Sequence, residues 1–170
     1  MEIETKIGGS ALAYLARVNG EKLIHAASAL SLQSCSYVRT GGVMAITVVN
    51  PRVSELNNHA SVSFGNPGFK INEYGLNAHE KIRRLRQRRD RTKAPEVKEI
   101  ASSQSADGKT MHGGALVFTD KEGCEVYLSF SGAPAMVDEA LMYVVGLQLG
   151  LIVPPTYQNQ FIDEAMRLMS

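Results

Sequence analysis

Apolar and polar positions alternate most cleanly toward the end of the chain. Cys124, Val126, Leu128 and Phe130 take every second place, with Glu125, Tyr127 and Ser129 between them, so the run predicts a strand with one face in the core. Residues 115–119 read as its hairpin partner. The connecting Asp120-Lys121-Glu122-Gly123 puts glycine where a short loop needs a left-handed residue. After Ser131-Gly132-Ala133-Pro134 the period changes to that of a helix, running from Pro134 or Ala135 to Leu149. Pro stands at its start, and Asp138-Glu139 lie near the positive end of its dipole. Val137, Leu141, Val144, Val145, Leu147 and Leu149 go most of the way round it, so this helix is expected to lie between the sheet and another layer, a second subunit being one candidate.

Upstream the pattern predicts a β-branched strand over Val43 to Val49, ended by Asn50-Pro51, and a shorter one over Ala60 to Phe64, ended by the turn Gly65-Asn66-Pro67-Gly68. A helix is expected from about Glu21. Residues Ala11 to Val18 stay open between helix and strand, because Asn19-Gly20 between apolar runs is also a hairpin signal. Asn77, with Glu80 three residues later, reads as the N-cap pair of a helix to about Arg89. Its apolar stripe of Ala78, Ile82 and Leu85 is narrow, so most of its arginines are expected to face solvent or a partner. Residues 92–109 read as loop with at most one helical turn. A final amphipathic helix is expected to carry Tyr157, Phe161, Ile162, Ala165, Met166 and Met169. Together these elements make a single α+β domain on an antiparallel sheet, within what 170 residues can build around one core.

Composition narrows the class without naming a reaction. The chain has 44% apolar and 21% charged residues and no Trp, which suits a globular protein with an aliphatic core. The N-terminus lacks the basic stretch and apolar run of a secretory signal, and no window reaches the ~18 apolar residues that a membrane span needs. A cytoplasmic location without membrane contact is therefore expected. Cys35 and Cys124 are too few for a disulfide framework and read as reduced, buried thiols. The net charge of +1 conceals segregation. From Lys81 to Lys93 eight basic residues face one acid, so that segment carries +7 and the rest -6.

Several features invite a chemical reading. Met111-His112 beside Gly113-Gly114 sets an imidazole against a flexible glycine pair, one possible wall of a ligand pocket. The start of the helix after Ser131-Gly132 exposes backbone N–H groups that suit an anion as well as a cap. His25, His59 and His79, or any methionine, have the chemistry of axial ligands to an iron porphyrin, although no spacing forces a pair together. Arg83, Arg84, Arg86, Arg88 and Arg89 offer a polyanion such as RNA a row of phosphate contacts, but without the interleaved aromatics of a base-stacking surface. A solvated face paired with acidic residues of the same protein is the competing reading. No nucleophile elbow, phosphate-binding loop, dinucleotide fingerprint or zinc-protease helix is present. Asp138 and Glu139 diverge by roughly 100° on a helix and make no close acid/base pair.

Gly113-Gly114, the hairpin through Asp120-Lys121-Glu122-Gly123, Ser131-Gly132-Ala133-Pro134 and the Asp138-Glu139 helix together resemble the GlcG/HbpS-like family of haem-degrading and haem-binding-like proteins. The match covers residues 113–146. The resemblance implies a profilin-like antiparallel sheet flanked by helices, assembly into symmetric homo-oligomers, and a small-molecule ligand with haem or another tetrapyrrole among the candidates. It also implies a ligand site at His112, Gly113, Gly114, Ser131 and Gly132. Polyanion binding by the arginine-rich helix is the alternative.

Overall fold

A computed structural model describes residues 10–34, 39–50, 58–91, 99–105, 113–154 and 156–170. In chain order the elements are α1 (Ala11–Ala16), α2 (Gly20–Ser34), β1 (Gly41–Val49), β2 (Asn58–Gly65), α3 (Ile71–Arg91), β3 (Ala115–Thr119), β4 (Glu125–Ser131), α4 (Ala135–Gln148) and α5 (Ile162–Met169). The strands form one antiparallel sheet in the order β2-β1-β4-β3. The fold is therefore α+β, an antiparallel sheet flanked by helices.

Local chemistry settles the first helices. Ser10 Oγ accepts from Ala13 N–H and caps α1, while Asn19 Oδ1 accepts from Lys22 N–H and caps α2. Asn19-Gly20 is thus a helix start rather than a hairpin turn, and Ala11–Ala16 is helical.

Both faces of the sheet carry helices. On one, Met44, Ile46, Val48, Leu116, Phe118, Val126, Leu128 and Phe130 meet the buried sides of α1, α2, α4 and α5. On the other, Ala45, Ala115, Val117 and Tyr127 meet Ala78, Ile82 and Leu85 of α3. This corrects the expectation of a one-faced hairpin. Tyr127 and Ser129 are fully buried beneath α3, because a tyrosine with its hydroxyl bonded, here to Glu125 Oε1 at 3.1 Å, suits an interior as well as a surface. Besides β3 and β4, α4 packs against α2 and α5 of the same chain. At Gly146 the helix approaches so closely that a Cβ would stand 2.5 Å from the Phe118 ring.

Two element boundaries also move. α3 starts at Ile71, directly after a 3₁₀ turn at Gly68–Lys70, so Asn77 lies inside the helix and caps nothing. Glu80 instead pairs with Arg84 one turn on. Tyr157 precedes α5 rather than belonging to it, and its ring packs against Tyr143 with centroids 5.6 Å apart. Cys124 is a buried, reduced cysteine, as expected; Cys35 lies outside the described residues. Among the described residues no helix is long and apolar enough to cross a membrane.

The β3–β4 turn is held by one side chain. Asp120 Oδ1 accepts from the N–H groups of Glu122 and Cys124 at 2.9 and 2.8 Å, and Gly123 takes φ +84°. Asp120→Ala leaves both amides without that acceptor and is expected to cost about 1–2 kcal/mol in urea unfolding. Asp120→Asn, which keeps the acceptor, is expected to restore most of it.

Candidate functional site

Of the five residues expected to line a ligand pocket, four come together in the interior, and His112 lies outside the described residues. Gly113, Gly114, Ser131 and Gly132 are all buried. The glycine pair passes between two buried carboxylates. A Cβ on Gly113 would lie 2.8 Å from Glu139 Oε2, and one on Gly114, at φ +136°, would lie 2.7 Å from both Lys81 Nζ and Phe130 O. Gly132 is equally enclosed, 2.7 Å from Gly41 O by the same construction. These glycines allow close approach.

The carboxylates are engaged within the chain. Asp138 accepts from Ala133 N–H at 2.9 Å and from the Gly132 amide, so the amides at the start of α4 are occupied by a side chain of that helix. Lys81 Nζ lies 3.2 Å from Asp138 Oδ2 and donates to Phe130 O at 2.8 Å. Burial pushes the Asp138 carboxyl up to about 7 against the opposing pull of Lys81 and the amides. Glu139 accepts from Ser103 Oγ at 2.8 Å, Gly114 N at 3.1 Å and Tyr157 OH at 2.7 Å. Burial, and then the charge of Glu139, raises Tyr157 far above the usual phenol range. The motif is a scaffold of satisfied polar groups, which ties α3, β4, α4 and the Ser102–Ser105 turn together.

The arginine row is divided in the same way. Arg84 Nη1 bonds both oxygens of Glu80 at 2.8 and 2.7 Å; Arg89 pairs with Glu125 and donates to Glu99 O; Arg88 Nε stands 4.0 Å from Glu99. Acidic groups of this chain therefore engage three of the five. Arg83 is exposed, and Arg86 lies over the Tyr127 ring at 5.9 Å.

Arg83 and Arg86 contribute instead to a trough that spacing alone did not reveal. α3 packs on β1, β4 and β3, which leaves the outward residues of edge strand β2, namely His59, Ser61 and Ser63, as a floor beside it. One compartment, of about 390 Å³, is lined by Thr47, His59, His79, Ile82, Arg83, Arg86 and Gln87. A second, of about 500 Å³, shares His79 and continues over Val43, Val62, Ile71 and Leu76. One end is cationic, the other apolar. His59 Nδ1 is 2.9 Å from Thr47 Oγ1. Partial burial, followed by the charges of Arg86 and His79, lowers the His59 pKa and keeps its imidazole neutral at pH 7. When Nδ1–H donates to Thr47, Nε2 presents a lone pair.

Two signals could have located this trough. β2 alternates, with His59, Ser61 and Ser63 on one phase, and α3 carries Leu76, His79, Arg83 and Arg86 at spacings of three and four, which is one helix row. Their meeting is tertiary. His25 is exposed on α2, in the layer that covers the opposite face of the sheet. Among the described residues no group of three or more His, Cys, Asp or Glu is placed to hold a metal ion. No family model, curated protein or solved structure matches the chain.

Proposed function

We propose that this protein is a small-molecule-binding module whose ligand is a flat, amphipathic acid lying in the α3–β2 trough, with haem or another tetrapyrrole as the leading case. The observation that carries this reading is the meeting of His59 and His79, from a strand and a helix, in one trough with arginines at one end and apolar side chains at the other. The residues fit such a group. A neutral imidazole suits axial ligation, Arg83 and Arg86 suit carboxylate side chains, and Val43, Ile71 and Leu76 suit a macrocycle face. Haem would supply the ligand-binding and redox chemistry of an iron centre when bound, and His59 or His79, Arg83 with Arg86, and the apolar side chains would hold it. The site thus shifts from the loops around residues 112–114 and 131–134 to α3 and β2.

A hemin titration tests the reading. A saturable Soret shift near one equivalent is expected, weakened at least about tenfold in His79→Ala and in His59→Ala and several-fold in Arg83→Gln with Arg86→Gln. Because the His59 pKa lies below the ordinary histidine value, its lone pair persists to mildly acidic pH. Protonation of His59 at that lowered value should weaken binding. A Soret shift that survives both histidine changes but disappears in His112→Ala would return the site to the glycine pair and overturn the trough.

A further inference from the structure

On the other flank of the first turn of α3 lies a separate cavity of about 410 Å³, at the point where β1 begins and β2 ends. Arg39, Thr40, Pro67, Phe69, Lys70 and Tyr74 line it. Its lining includes two cations and no carboxylate. Arg39 Nε is withdrawn from solvent and, among the described residues, has no hydrogen-bond partner. Beside it Phe69 is 96% exposed, an unusual position for a large aromatic side chain on a short turn.

The walls are fixed by backbone. Asn66 N–H donates to Thr40 O at 2.8 Å, and Thr40 Oγ1 donates to Asn66 O at 2.8 Å. Gly68, at φ +64°, turns the chain so that Phe69 projects, and its N–H donates to Asn66 Oδ1 at 3.2 Å. At Gly41 a Cβ would stand 2.6 Å from the Asn66 and Pro67 backbone, so the two strand ends are locked together. Lys70 sits immediately before α3, whose N-terminal dipole adds positive potential.

We propose that this cavity binds a flat aromatic ring bearing a terminal phosphate, the chemistry of a nucleoside monophosphate. Arg39 and Lys70 take the phosphate: the guanidinium gives planar, paired donors and the ammonium a point charge. Phe69 and Tyr74 take the ring, and stacking recovers the apolar contact that an exposed Phe69 forgoes. The site shares no lining residue with the histidine trough.

Calorimetric titration of the full chain tests this with AMP, adenosine and inorganic phosphate as probes. AMP is expected to bind, with adenosine and phosphate each at least about tenfold weaker, since each satisfies half of the site. Lys70→Gln, at an exposed position, and Arg39→Gln are each expected to weaken AMP about tenfold. Phe69→Ala should weaken AMP several-fold and leave phosphate unchanged, and His79→Ala should change neither. If Arg39→Gln fails to fold by circular dichroism, Lys70→Gln decides the cationic half. No heat with millimolar AMP, AMP no tighter than phosphate, or AMP binding indifferent to Lys70→Gln would each overturn the proposal.

Discussion

Asp138→Ala is expected to destabilise the fold by about 3–5 kcal/mol, because it leaves Lys81 buried with its charge uncompensated. Asp138 and Lys81 are 1% and 3% exposed, so water cannot replace the lost carboxylate. Lys81→Met combined with Asp138→Leu should recover part of the loss, since removing both charges removes their desolvation penalty but leaves Ala133 N–H and Phe130 O without their side-chain partners. The two results together separate an ion pair that organises the interior from one that merely occupies it. Urea unfolding followed by circular dichroism measures both.

The same pair sets a pH dependence whose sign is opposite to that of most carboxylates. Burial holds the Asp138 pKa at about 7 in the folded chain against an ordinary 3.8. Between those values the native state binds a proton that the unfolded state has released. Stability from this group is therefore greatest at the acid end of the window, declines as pH rises toward about 7, and is level above it, with a limiting slope of about 1.4 kcal/mol per pH unit. Asp138→Asn should flatten that slope.

Gly114→Ala is the second large effect. At φ +136° the residue lies where L side chains are strained, and the added Cβ would stand 2.7 Å from the Phe130 carbonyl oxygen and 3.1 Å from Asp138 Cβ. Strain alone costs about 1–3 kcal/mol, and the overlap forces β3 away from β4, where Phe130 N–H now donates to Gly114 O at 3.0 Å. A loss of about 3 kcal/mol or more is expected in urea unfolding, with earlier amide exchange along β3. Gly68→Ala provides the contrast. It too has positive φ, but its Cβ would meet nothing within 4 Å, so the loss should be limited to backbone strain.

These glycines also show how far the sequence could be read. The β3–β4 hairpin and α4 were legible because their signals are local: alternation in Val126, Leu128 and Phe130, glycine at position 123, and proline before α4. Tyr127 was assigned to the outer face because period two separates faces but does not say whether the second is covered, and here α3 covers it. Asn19-Gly20 was ambiguous for a related reason, since Asn accepts a backbone N–H in a turn and at an N-cap alike. Lys81 stood at the head of a cationic run, yet it turns into the protein at 3% exposure. Its partner Asp138 lies 57 positions away, beyond any spacing argument. Gly113 and Gly114 stand out in the sequence for flexibility and Gly132 for its backbone N–H at a helix start, whereas the structure uses all three for proximity. The histidine trough was hidden because it depends on α3 leaving the outer face of β2 bare, which is a property of layer placement.

The central claim is that ligand lies between His59 and His79. Its most direct test is the NMR spectrum of ring-labelled histidine during hemin addition, because the paramagnetic iron broadens signals near it. The His59 and His79 resonances should vanish by one equivalent while that of His25, on the opposite face of the sheet, stays sharp. His59 and His79 signals that stay sharp at one equivalent would contradict it.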